Sequence, residues 1–188
     1  MIDLFKKHKR IFIYSRTVLT SIIIGAMGSV IGVYLQDRSW EKQYKLSLIE
    51  SDRKMAEEIF SEISRLMDSR VYKTRLLLNA KYNKKNYSVS LQKYSAHLIE
   101  WNENLNRNVA LIKSYFGTNA SNYFYNDVHL ALREIGSKIQ NCREINNSTY
   151  KAISTELDNI NNSICNMDSI MLNLIQQNNI GRSSLLND

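Results

Sequence analysis

The chain contains no proline, and between Gly32 and Gly117 it contains no glycine either. Proline and glycine are the residues that punctuate strands and turns, so a stretch of this length without them has little choice but to form long helices. No segment alternates apolar and polar residues between turn signals in the manner of a strand. The fold class that follows is all-α. At 188 residues there is room for one domain with a short appendage.

From Thr17 to Leu35 the sequence TVLTSIIIGAMGSVIGVYL carries no charge. About 20 such residues span the hydrocarbon of a bilayer as a helix. Tyr14, Tyr34 and Trp40 sit near its ends, where amphipathic aromatics favour the interface. A cleaved signal peptide has a shorter apolar core and a small-residue cleavage site, and no A-x-A motif precedes Gln36–Arg38. A transmembrane helix over 17–36 is expected, behind a basic flank over 1–16. Within it Ser21, Gly25 and Ser29 recur every four residues, and Gly28 and Gly32 form a GxxxG pair. Small residues on one face let two helices approach closely in lipid, so this face is the candidate for self-association. Glycine and serine are also common in membrane helices without any such contact.

The formal charge of +7 divides unevenly. Lys6, Lys7, Lys9, Arg10 and Arg16 against Asp3 give +4 before the span, leaving +3 for residues 37–188. That placement fits membrane topology better than nucleic-acid binding, and it leans toward a cytoplasmic N-terminus with the larger part outside. Arg53 and Lys54, counted with Arg38, Lys42 and Lys45, cancel the asymmetry.

The remainder, 37–178, reads as four amphipathic helices with short polar connections, at about 37–82, 87–116, 121–145 and 149–177, followed by a frayed tail over 179–188. The first continues from the membrane span, since nothing after Gly32 breaks it. Its stripe runs Ile59, Ile63, Leu66 and Leu77, with the polar Arg70 at a core-facing step. The second carries Tyr87, Leu91, Tyr94, Leu98, Trp101, Leu105, Ile112 and Phe116, and stops at Gly117. The third carries Phe124, Val128, Ala131, Ile135, Ile139 and Cys142. In it Gly136 is a propensity cost that close packing by a neighbour offsets. The fourth carries Tyr150, Ile153, Leu157, Ile160, Ile164, Met167, Met171 and Leu174. Such helices pack as an antiparallel four-helix bundle. In that hairpin Cys142 and Cys165 lie too far apart along the axis for a disulfide.

Two polar clusters interrupt these patterns. Arg65, Arg70, Lys73, Arg75, Lys81, Lys84 and Lys85 face only Asp68 among acids. They form either a phosphate-binding patch or, as the favoured reading, a solvated face with Arg65 and Arg70 paired to Glu100 or Glu103. Residues 100–108, with Trp101, Asn102, Asn104, Asn106, Arg107 and Asn108, put four asparagines into seven positions. Asparagine competes for backbone hydrogen bonds, so this density marks a polar network, a ligand site, or compositional drift. The segments Leu66–Arg75 and Trp101–Asn108, with Tyr115-Phe116-Gly117, resemble those of uncharacterised membrane-anchored helical bacterial proteins. The resemblance implies a bacterial membrane origin and a defined fold but no activity. It singles out Asp68, Arg70, Arg75, Trp101, Asn102, Asn106 and Arg107.

For catalysis the inventory is thin. His8, His97 and His129 have no metal-ligand spacing, and no nucleophile elbow or phosphate loop is present. His97 and Glu100 form an i,i+3 pair of the ordinary solvated kind. No enzyme, metal or cofactor, small-molecule substrate or nucleic-acid partner is expected. The expected role is a single-pass anchored interaction, sensing or scaffold protein working through protein contacts, as a homo-oligomer or with a partner membrane protein. One alternative is an oligomerising effector that perturbs the bilayer, for instance in defence against phage. The other is an extracytoplasmic ligand-sensing bundle with a separate signalling partner.

Overall fold

The computed structural model describes the backbone of residues 2–186, with the side chains of residues 18–182 and of Ser184. The side chains of the basic flank 1–16 and the last two residues of the expected tail lie outside that range. Among the described residues the chain is helical throughout and has no strand. Helix α1 spans Ile2–Tyr82, α2 Tyr87–Tyr123, α3 Ala131–Asn141 and α4 Asn147–Gln176. A π-helical segment, Phe124–Leu130, joins α2 to α3, and a 3-10 turn, Gly181–Leu186, follows α4.

Residues 1–47 form one compact unit and Leu48–Asp188 another. In the first, every described residue from Val18 to Ser47 is exposed. It contains the apolar part of α1, the one helix among the described residues that is long and apolar enough to cross a membrane, and none of that apolar window is buried. A side chain at Gly25, Gly28 or Gly32 would meet nothing within 4 Å.

The second unit is built on the missing breakers. Among the described residues turns occur at residues 83–86, where Lys84 and Asn86 take left-handed φ of 57° and 54°, at residues 142–146, and at residues 177–180, where Asn178 takes φ 53°. Asn146 caps α4, its Oδ1 accepting from the Thr149 amide at 2.8 Å. Within α2, Gly117 adopts φ 85° and ψ 173°, a conformation closed to other residues, and interrupts the helix at the expected stop.

Side-chain pairs fix the directions. Along α1, Glu62 meets Arg107 and Arg70 meets Trp101 of α2, so the numbers run oppositely. Ser64 meets Asp168, Arg75 meets Asp158 and Asn79 meets Tyr150 of α4, again in opposite order. Arg70 with His129 and Lys81 with Ile139 rise together, so the π segment and α3 run with α1. The core between them holds Ile63, Met67, Leu77 and Leu78 of α1, Trp101 and Ile112 of α2, Leu132, Ile135 and Ile139 of α3, and Leu157, Met167 and Met171 of α4. Each such aliphatic side chain contributes about 1.5–3 kcal/mol by leaving water.

Two expectations are corrected. The third helix is not a single α-helix over 121–145: its start is π-helical, it ends at Asn141, and Cys142 is extended. The π segment turns the register so that Val128 and His129 are both buried and Leu132, rather than Ala131, continues the core stripe. Nor does the described part of the tail fray, because Ile180 is buried and Arg182 lies 3.6 Å from the buried Asp52 of α1. Cys142 and Cys165 are both free thiols.

Candidate functional site

The least expected feature of the core is Arg70. It occupies the polar step of the α1 stripe and is only 1% exposed. Its guanidinium lies 4.3 Å over the Trp101 ring, a cation–π contact in a dry setting. Its Nη1 approaches His129 Nδ1 at 3.4 Å. The Trp101 indole N–H donates to the same nitrogen at 3.0 Å, which requires His129 Nδ1 to be unprotonated and puts the ring proton on Nε2. His129 lies edge to edge with Trp101 through this bond, their planes 5° apart, while Phe124 stacks on Trp101.

Charge in this cluster runs one way. Burial, then Arg70 and Arg133, push His129 down to about 4, so the imidazole is neutral. Burial likewise pushes Arg70 down to about 10, leaving it charged at neutral pH. No carboxylate meets it among the described residues, and its Nε and Nη2 have no hydrogen-bond partner. A buried charge without a counter-ion is costly, and proteins seldom retain one without a use for it.

A cavity of about 220 Å³ adjoins this arginine, lined also by Tyr94 and Leu98 of α2 and by Arg133, Ser137, Gln140 and Asn141 of α3. Arg70 and Tyr94 are its buried floor; the four α3 residues are exposed at its mouth. Gly136 makes the floor possible, because a Cβ there would collide with the Tyr94 hydroxyl. This is the close neighbour that the glycine in α3 anticipates. Burial raises the Tyr94 phenol, with Arg70 opposing.

A second cavity, of about 430 Å³, lies between α1 and α2 against Tyr72, Lys73, Lys93, His97 and Glu100. His97 is buried rather than solvated, its Nδ1 3.3 Å from Glu100 Oε2 and its Nε2 unpartnered. Burial, then Lys73, lowers its pKa, with the Glu100 hydrogen bond opposing.

Of the seven residues singled out by resemblance, the structure joins only Arg70 and Trp101. Arg75 pairs with Asp158 at 2.6 Å and Arg107 with Glu62 at 3.1 Å, both as surface contacts. Asp68, Asn102 and Asn106 are exposed. The asparagine run contributes one local bond, Asn104 to the Glu100 carbonyl, and one buried member, Asn108, whose Oδ1 is unpartnered. The basic patch disperses. Lys81 donates to the Ile139 and Gln140 carbonyls, closing the C-terminal end of α3, and Lys84 pairs with Glu144. Lys73 lines the larger cavity, while Arg65 and Lys85 are exposed and make no ion pair among the described residues. The pairing of Arg70 with Glu100 or Glu103 is therefore wrong, since Glu100 turns to His97 instead.

No family model, curated protein or solved structure matches the chain. The geometry alone carries the reading. The residue pattern marks none of His129, Tyr94, His97 and Arg133 as part of a site, and His97 reads there as half of a solvated pair. Only Tyr94 stood on an expected core stripe, and His129 reaches the site through the π segment, which leaves no periodic trace. Among the described residues no group of three or more potential ligands is placed to hold a metal ion.

Proposed function

We propose that this chain is a single-pass membrane protein whose soluble part, an antiparallel four-helix bundle once Gly117 is counted as a helix boundary, acts by contact as an interaction or sensing module. The observation that carries the membrane reading is the complete exposure of the apolar stretch Val18–Leu35. The core helix of a soluble protein buries such a stretch, whereas here the surrounding hydrocarbon supplies the apolar contacts. The uneven basic flank favours a cytoplasmic N-terminus and a bundle on the far side of a bacterial inner membrane.

The open face of Ser21, Gly25, Gly28, Ser29 and Gly32 supports self-association through the anchor. Mass measurement of the detergent-solubilised chain tests it. An oligomer in the natural chain that becomes a monomer in the Gly28→Ile, Gly32→Ile double variant supports the contact; an unchanged mass removes it.

Between scaffolding and sensing, the buried Arg70 favours sensing. A scaffold gains nothing from an unpaired charge in its core, while a ligand site does.

A further inference from the structure

We propose that the small cavity between α1, α2 and α3 is a phosphate-binding site, with Arg70 and Arg133 as its cationic ligands and Tyr94, Ser137, Gln140 and Asn141 as neutral hydrogen-bonding partners. The inference names the ligand of the sensing module, but binding is a property of residues in 48–188 and does not depend on the anchor.

Three observations meet at the cavity. The first is the geometry of the unpartnered donors. His129 holds Nη1, and the atoms left without a partner are Nε and Nη2. These two lie on one edge of the guanidinium, the fork geometry that engages two oxygens of one anion; both are closed to solvent, so an anion reaches them only as the cavity floor shifts. Trp101 covers a face of the same group and leaves that edge clear of the stack. The second is charge. Two guanidiniums line the cavity, no carboxylate does, and Arg133 makes no ion pair among the described residues. Neutral His129 behind them offers no compensation. A doubly negative phosphate balances two cations where a singly charged carboxylate balances one. The third is size. A cavity of about 220 Å³ has room for an oxyanion with a few waters, each water taking about 30 Å³, and it is smaller than the roughly 300–1,000 Å³ of sites for larger organic ligands. A phosphate group fits, and a whole nucleotide does not.

The larger cavity beside His97 is the weaker candidate, because Glu100 opposes the charge of Lys73 and Lys93 there.

The phosphate has two chemical sources, free phosphate in solution or the headgroup of an anionic lipid. The test uses the full chain with Trp40→Phe, so that Trp101, stacked on Arg70, is the single tryptophan and is excited selectively over the tyrosines. Inorganic phosphate is titrated at constant ionic strength in a non-ionic detergent. In parallel the chain is placed in nanodiscs of phosphatidylcholine with or without phosphatidic acid, free of phosphate. A saturable change in Trp101 emission is expected. It should weaken about tenfold or more with Arg70→Met and about three- to tenfold with Arg133→Gln, the latter an exposed change that leaves the core intact. A response to inorganic phosphate assigns the free ion; a response only to phosphatidic acid, equally dependent on Arg70, assigns the headgroup. The proposal is overturned by no saturable response to either, by acetate binding as tightly as phosphate, or by Arg70→Met responding like the parent. Failure of the chain to partition into membranes would remove the anchor reading and leave this result untouched.

Discussion

Replacing Arg70 by methionine should leave the protein at least as stable as it is now. Methionine fills a similar stem volume without any donor to satisfy. The lowering of the Arg70 pKa to about 10 by burial corresponds to about 3 kcal/mol against the charged form. Because the folded value lies below the unfolded one, that penalty is present in full at every pH below about 10 and fades only above it. Against its removal stand two losses. The cation–π contact with Trp101 is worth up to about 2 kcal/mol in a dry site. The bond to His129, long at 3.4 Å, contributes about 0.5 kcal/mol. With the cation–π contact at its full value of about 2 kcal/mol, the balance is a gain of about 0.5 kcal/mol. Urea unfolding in phosphate-free detergent measures it, followed by Trp101 fluorescence in the Trp40→Phe background and extrapolated linearly. A loss of about 2 kcal/mol or more would refute the reasoning, since it would mean that the guanidinium is satisfied in the native state. The expected pattern, stability kept and phosphate binding lost, is the signature of a residue retained for function at a cost in stability.

Acid should destabilise the protein earlier than carboxylate titration alone would. His129 is held at about 4 against an ordinary 6.5, so the unfolded chain takes up the proton first as the pH falls. Stability is complete above about pH 6.5 and should drop by about 2 kcal/mol by pH 5. His97 is pushed in the same direction, while Asp168, raised by burial, works in the opposite sense. Urea midpoints at pH 7 and pH 5, with His129→Gln as the variant of reduced slope, check this; a flat profile contradicts a neutral buried His129. Gly136→Ala should cost about 1–3 kcal/mol by forcing the Tyr94 hydroxyl out of its place. Adding Tyr94→Phe should recover most of that loss, and thermal unfolding that shows simple additivity would rule out the contact.

Much of this arrangement is legible in the residues. The missing breakers dictate the helices, and Gly117 interrupts α2 because glycine accepts the backbone conformation needed there. Arg70 was visible as the one charge on an apolar stripe. Its surroundings were not, because a stripe says which way a residue points and nothing of what faces it. The acids nearest in sequence pattern, Glu100 and Glu103, do not meet it among the described residues, so a surface ion pair became a buried charge. His129 was hidden by the π segment, whose wider turns bring Val128 and His129 inward together where a 3.6-residue period buries one of them. Arg133, Ser137, Gln140 and Asn141 read as an ordinary polar face of α3, and only the depth of Tyr94 beneath them makes that face the mouth of a cavity. The tail over 179–188 has the composition of a frayed end, and the burial of Ile180 is a tertiary contact that no local propensity encodes.

The claim that residues 17–36 cross a membrane is tested most directly by labelling two cysteines on either side of them. Cys165 is naturally exposed, and Lys6→Cys in a Cys142→Ser background supplies the other. In sealed spheroplasts a membrane-impermeant maleimide should label Cys165 and spare position 6 until the membrane is opened. Labelling of both from the same side would contradict a single span between them.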